Sequence, residues 1–180
     1  TLVNDLLYLA GGSQAILLVM GAATSFVLGI GMTVTAAYNF LAIVLAPALV
    51  QGGLDPMGVH LFILYWAMLS FITPPVALGA FAAASIAGAK PIRTGFTAMR
   101  LGTVIYVIPF FFVLNPAFLF RADWLTTLAV VAAVLVGIIG IAGGLQAHLP
   151  FGRRPPGWIT RSALLIAGAA ICFGASLYGQ

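Results

Sequence analysis

From Ala15 to Val50 the sequence is apolar except for one glycine-punctuated polar cluster in its middle, Gly29-Ile30-Gly31-Met32-Thr33-Val34-Thr35. A second interruption, Ser70-Phe71-Ile72-Thr73-Pro74-Pro75, splits the next apolar stretch. Hydrocarbon offers no hydrogen bonds to open backbone, so such breaks persist at membrane depth only where protein buries them or water reaches them. Two of them close together predict a binding region assembled from interrupted helices.

That the chain lies in a membrane follows from its charges. Hydrophobic residues make up 63% of the 180 residues and charged residues 6%, with no glutamate. A soluble domain carries about a quarter charged residues, so this chain has too few to cover a water-facing surface. At about 20 residues per crossing there is room for about six membrane segments. The net charge of +4 does not point to nucleic acid, because the basic residues sit in short connections and read as orientation signals. A single cysteine, Cys172, leaves no disulfide framework or cysteine metal site and reads as a small buried hydrophobe. The chain opens on Thr1 without a basic stretch ahead of a short apolar one. It therefore reads as the C-terminal part of a longer polypeptide with no signal peptide.

Residues 1–13 read as the tail of a preceding helix. Gln14–Leu28 and Ala36–Val50 are arms of 15 residues each, short of a full crossing, and predict a re-entrant hairpin over 14–50. Gln51–Pro56 is a turn. Met57–Ile72 and Val76–Gly88 predict one broken helix over 57–88, because proline has no amide donor and pushes the residue before it out of helical geometry. Lys90, Arg93 and Arg100 flank an amphipathic connector. Leu101–Phe120, Trp124–Gln146 and Ile159–Tyr178 predict three ordinary spans, and a basic proline-rich loop over Pro150–Pro156 precedes the last. Six of the seven basic residues (Lys90, Arg93, Arg100, Arg153, Arg154, Arg161) then share one face, which the positive-inside rule makes cytoplasmic. Asp5, Asp55 and Asp123 fall on the other.

No residue pattern supports covalent or acid–base catalysis, so the chain is not expected to be an enzyme. The three aspartates sit at predicted membrane edges, and His60 and His148 read as interfacial residues rather than ligands. The first cluster differs. Gly29 and Gly31 permit close backbone approach, Thr33 and Thr35 add hydroxyls, and Thr24, Ser25 and Asn39 offer further polar atoms. Carbonyls and hydroxyls together can replace the hydration shell of an alkali cation, and helix amide ends can face an anionic group. Gly21, Ala22, Gly137, Gly140, Gly143 and Gly144 read as packing residues. Phe62, Tyr65, Trp66, Met68, Phe71 and Phe81 read as packing or lipid contact, and Trp124, Trp158 and Tyr178 as an interfacial belt.

A family resemblance rests on Gly29 through Tyr38, Ala46-Pro47-Ala48-Leu49, His60-Leu61-Phe62 and Ile72-Thr73-Pro74-Pro75-Val76-Ala77-Leu78. Arg93-Thr94-Gly95-Phe96-Thr97-Ala98, Arg100-Leu101-Gly102 and Asn115-Pro116-Ala117 extend it. These resemble the large membrane subunit of tripartite ATP-independent periplasmic (TRAP) transporters, nearest to the fused permeases of the TAXI branch. The family's tip usually reads Gly-Met-Gly-Met-Pro-Thr-Thr-Ala-Ala-Tyr; here Thr33 replaces the proline and Val34 the first threonine. The likeness implies an all-α integral membrane fold, the second inverted repeat of an elevator-type transporter over residues 1–120. Residues 121–180 would form a two-span C-terminal extension. It implies sodium-driven import of an organic acid or related small solute across the bacterial inner membrane, with sodium as coupling ion and no other cofactor. The implied partners are an extracytoplasmic solute-binding protein and a small membrane subunit or its fused equivalent upstream. The implied sodium ligands are Gly29, Gly31, Thr35, Thr73 and Pro74 (through the carbonyls it frees), with Thr33, Asn39 and Pro75 near the solute. The alternative is a non-transporting membrane scaffold whose breaks only serve helix packing.

Overall fold

A computed structural model describes residues 2–146 and 157–177. The loop over Pro150–Pro156, His148, Arg153, Arg154 and Tyr178 lie outside the described residues. Among the described residues ten α-helices follow one another: α1 (Leu2–Leu9), α2 (Gln14–Gly31), α3 (Val34–Val44), α4 (Ala46–Gln51), α5 (Pro56–Met68), α6 (Leu78–Ala87), α7 (Pro91–Leu101), α8 (Thr103–Leu114), α9 (Trp124–Gln146) and α10 (Trp158–Leu177). Short 3₁₀ turns at Leu69–Phe71 and Pro116–Leu119 follow α5 and α8, and no strand occurs among the described residues. The helices gather into two units, Thr1–Met99 with Ile105–Val113, and Arg100–Val104 with Leu114–Gln180.

In the first unit the helix starts are set locally. The Ser13 hydroxyl accepts from the Ile16 amide (3.4 Å), Thr33 from Ala36 (3.3 Å) and the Asp55 carboxylate from Gly58 (3.0 Å), with Pro56 in the first helical position. Pro47 cannot donate to the carbonyl one turn back, so the second arm bends at Leu45 and continues as α4. The start of α2 is tied to the end of α4 by Gln14, whose amide donates to the Gly52 carbonyl at 3.3 Å. Leu41, Leu49, Phe62, Ile63 and Leu69 are fully buried where α2, α3 and α4 meet α5.

The first interruption is narrower than its composition predicts. Gly29, Ile30 and Gly31 complete α2, and only Met32 and Thr33 leave helical geometry before α3 begins. Glycine in an apolar helix is kept helical when a neighbouring backbone packs against it, which is the case at Gly29. The second interruption is wider: α5 ends at Met68, tightens into the 3₁₀ turn, and α6 starts only at Leu78. Ala77, fully buried, takes the left-handed conformation at the head of α6 (φ 34°), a strained choice for a residue with a Cβ.

The straight span expected over Leu101–Phe120 does not form. The helix α8 has 12 residues, is bent by 43° from α7 and stops before Asn115. The residue preceding Pro116 is held out of helical geometry, and the Asn115 side chain instead caps the following turn through the Ala117 amide at 2.8 Å. Two described helices, α9 and α10, are long and apolar enough to cross a membrane, with a third crossing if the bent α7–α8 pair is one span. The other apolar helices among the described residues are shorter than α9 and α10.

In the second unit α9 and α10 pack through small residues. A Cβ on Gly137 would strike the Cys172 sulfur and lie 2.8 Å from the Gly168 carbonyl, and one on Gly140 would lie 3.4 Å from the Gly168 Cα. Arg161 donates from Nε to the Gly144 carbonyl (2.9 Å) and from a terminal nitrogen to that of Leu145 (3.4 Å), closing the end of α9. Asn115 Nδ2 donates to the Ala175 carbonyl at 3.1 Å.

Candidate functional site

Gly21, Ser25 and Gly29 recur every fourth residue and share one face of α2. A Cβ on Gly21 would sit 3.3 Å from Leu49 and 3.6 Å from Phe62. One on Gly29 would lie 2.9 Å from the Ala67 carbonyl oxygen and 3.1 Å from its Cα. The glycine thus lets the end of α2 touch the backbone of α5 just before its break. Ser25, between them, is 0% exposed, and its hydroxyl has no hydrogen-bond partner among the described residues. The same holds for the buried indole N–H of Trp66, beside Ala67 and edge-on to Phe26. Buried polar groups are almost always paired, so these two groups stand out in having no partner among the described residues.

The break is braced on its other sides. Thr73 is 4% exposed; its hydroxyl donates to the Leu69 carbonyl (2.7 Å) and also meets the Tyr106 hydroxyl of α8. With its proton committed to Leu69, Thr73 accepts from Tyr106 and keeps one lone pair. The Tyr106 ring stands edge-on to Trp66, which is also edge-on to Phe110. Gly95 of α7 faces the break, where a Cβ would lie 2.8 Å from Pro74 and 3.5 Å from Ala77. Pro74 and Pro75 have no amide hydrogen, so the carbonyls of Ser70 and Phe71 lose their usual α-helical donors.

The residues picked from sequence fall into two groups. Gly29 packs on the Ala67 backbone, whereas Thr73 is held by Leu69 and Tyr106 and Pro74 lies against Gly95, so these three meet different neighbours around the end of α5 and its break. Gly31 is the last helical residue of α2, at the end where carbonyls have no intrahelical donor. Thr33, Thr35 and Asn39 lie exposed on the first turns of α3, and Pro75 is exposed in the break. His60, read as an interfacial residue, is bound to Tyr38: Nδ1 lies 3.1 Å from the tyrosine hydroxyl. Tyr106 was not singled out in the sequence; its signal is a phenol inside the apolar run Val104–Leu114, where its hydroxyl needs a partner.

An interrupted helix clamped by glycine-to-backbone contacts, in a chain this apolar, defines an α-helical membrane protein with a polar interior at the interruption. The chain belongs to the family described as the tripartite ATP-independent periplasmic transporter, DctM component, which matches residues 1–125. It is a family of transporters rather than enzymes, and membership implies secondary transport of the TRAP type. TRAP transporters work with a periplasmic solute-binding protein and a small membrane subunit. No curated protein and no solved structure matches the chain.

Proposed function

We propose that this chain is the C-terminal part of a sodium-driven TAXI-type permease, contributing the second re-entrant hairpin and second broken helix of an elevator-type pair of inverted repeats. In this reading sodium is carried between the carbonyl end of α2 and the carbonyls left without donors ahead of Pro74 and Pro75. Both are electronegative helix ends, and a small cation offsets them together. Gly29 and Gly31 supply backbone oxygens, Thr35 a hydroxyl, and Thr73 its remaining lone pair, held in place by Leu69 and Tyr106. The amide end of α3 faces the carboxylate of an organic acid beside Thr33, Asn39 and Pro75. An extracytoplasmic solute-binding protein delivers that acid at the bacterial inner membrane, and the small membrane subunit, separate or fused upstream, completes the assembly.

The observation that carries this reading is the fit of Gly29 against Ala67. It ties the carbonyl end of α2 to the turn that leads into Thr73-Pro74-Pro75. Packing alone explains the glycine, but leaves the buried Ser25 oxygen, on the same face of α2, without a partner among the described residues. Equilibrium sodium binding to the purified full-length protein tests the proposal. Thr35→Val and Thr73→Val remove a hydroxyl at nearly constant volume, and each raises the half-saturating sodium concentration by roughly tenfold or more. Thr33→Pro, which restores the family's usual residue, is tolerated better than either. Unchanged sodium affinity in both valine variants would assign the seam to packing.

A further inference from the structure

We propose that the start of α7 carries a binding site for the phosphate of an anionic phospholipid, formed by Lys90 and Arg93, with Thr94 and Thr97 beside them, their hydroxyls donating to the Lys90 and Arg93 carbonyls at 3.1 and 2.9 Å. These side chains, with Gly88 and Ala89, line a surface cavity of about 450 Å³. That is far more than the roughly 30 Å³ share of one water and suits a headgroup. Lys90 and Arg93 are exposed, and no carboxylate lines the cavity. None of the three aspartates, Asp5, Asp55 and Asp123, is among the residues that line it. Two uncompensated cations at one concave point make an anion site, and arginine matches phosphate oxygens in a bidentate way.

The rest of α7 specifies a lipid rather than a free anion. Ile92 and Phe96, one turn apart, are 52% and 59% exposed, and both flank the basic face. Gly95, on the inward face, is buried against Pro74 and Ala77. A helix with one inward stripe, one exposed apolar stripe and one basic stripe lies in the plane of the headgroups, its apolar side chains among the acyl chains. Basic clusters at that depth recognise anionic lipid. Since Gly95 rests on the break itself, a lipid bound at Lys90 and Arg93 seats the helix that braces Pro74.

The site depends on the chain being a membrane protein and not on sodium coupling, so its test reads lipid binding rather than transport. The full-length protein is reconstituted in phosphatidylcholine vesicles with spin-labelled phosphatidylglycerol or spin-labelled phosphatidylcholine, and the motionally restricted fraction is measured. The wild-type protein is expected to prefer phosphatidylglycerol, by roughly fivefold for each basic residue engaged. Lys90→Gln with Arg93→Gln lowers that preference by that factor per residue, while Lys90→Arg with Arg93→Lys keeps it and reports that the fold is intact. Excess glycerol 3-phosphate leaves the restricted fraction unchanged. Equal restriction of the two lipids by the wild type, a preference surviving the double glutamine variant, or displacement by the soluble phosphate would each overturn the proposal.

Discussion

The Tyr38 hydroxyl lies 3.1 Å from Nδ1 of His60, with the two rings 6.0 Å apart and inclined at 60°, and it is the polar tie between α3 and α5. Its partners are 22 residues apart in sequence, so the bond forms only once α3 has packed on α5. A double-mutant cycle of Tyr38→Phe and His60→Phe, read by thermal unfolding in detergent, is expected to give a coupling of about 0.5–1.5 kcal/mol. Additive effects would mean that the two side chains merely lie side by side.

Gly29 and Gly21 are not equivalent, although both face α5. An added methyl at Gly29 meets backbone at 2.9 Å, which cannot rotate away, whereas at Gly21 it meets the Leu49 side chain at 3.3 Å. Gly29→Ala is therefore expected to cost about 1–3 kcal/mol of stability and most of the uptake. Gly21→Ala is expected to cost less than half as much. Melting temperatures of the two variants side by side check the order.

Ser25 offers the reverse case. A fully buried hydroxyl without a partner among the described residues contributes nothing to folding, so Ser25→Ala is expected to leave the melting temperature unchanged or raised. Under the proposed sodium route uptake should nonetheless fall, because the Ser25 oxygen would then face the ion's path. Full uptake with raised stability would identify Ser25 as a packing residue.

Cys172 is the sole cysteine of the chain and is 0% exposed, wedged against Gly137 with its thiol 3.8 Å from the Val134 carbonyl. A membrane-permeant maleimide is expected to leave it unlabelled in the folded protein and to label it after denaturation in SDS. Gly137→Leu, which forces α9 and α10 apart, should expose it without denaturant. Gly174→Ala, where an added Cβ meets nothing within 4 Å, should not.

The long uninterrupted helix over Trp124–Gln146 was legible from sequence, since no proline or charge within it competes with apolar helix formation. The double proline at Pro74 and Pro75 was legible too, because a missing amide is a local fact. Where tertiary contact decides, the sequence misleads. Gly29 and Gly31 look like an opening but stay helical, since Ala67 fills the space a side chain would take. Asn115 looks like one more residue in a span, yet Pro116 and the Ala117 amide turn it into a stop. The roles of Tyr106 and Ser25 depend on which neighbours arrive 33 residues away or fail to arrive at all, and no local pattern encodes that.

Arg161 counts, by position, as one of the six charges that orient the chain. In the folded protein its guanidinium is spent on the last carbonyls of α9. A charge fastened in this way marks depth as well as sidedness: it fixes the level at which the α9–α10 hairpin ends, because sliding either helix by one turn would strand two carbonyls and a cation together. The membrane-embedded length of this hairpin is thus set by an intramolecular stop, and a thicker or thinner bilayer must adapt to it.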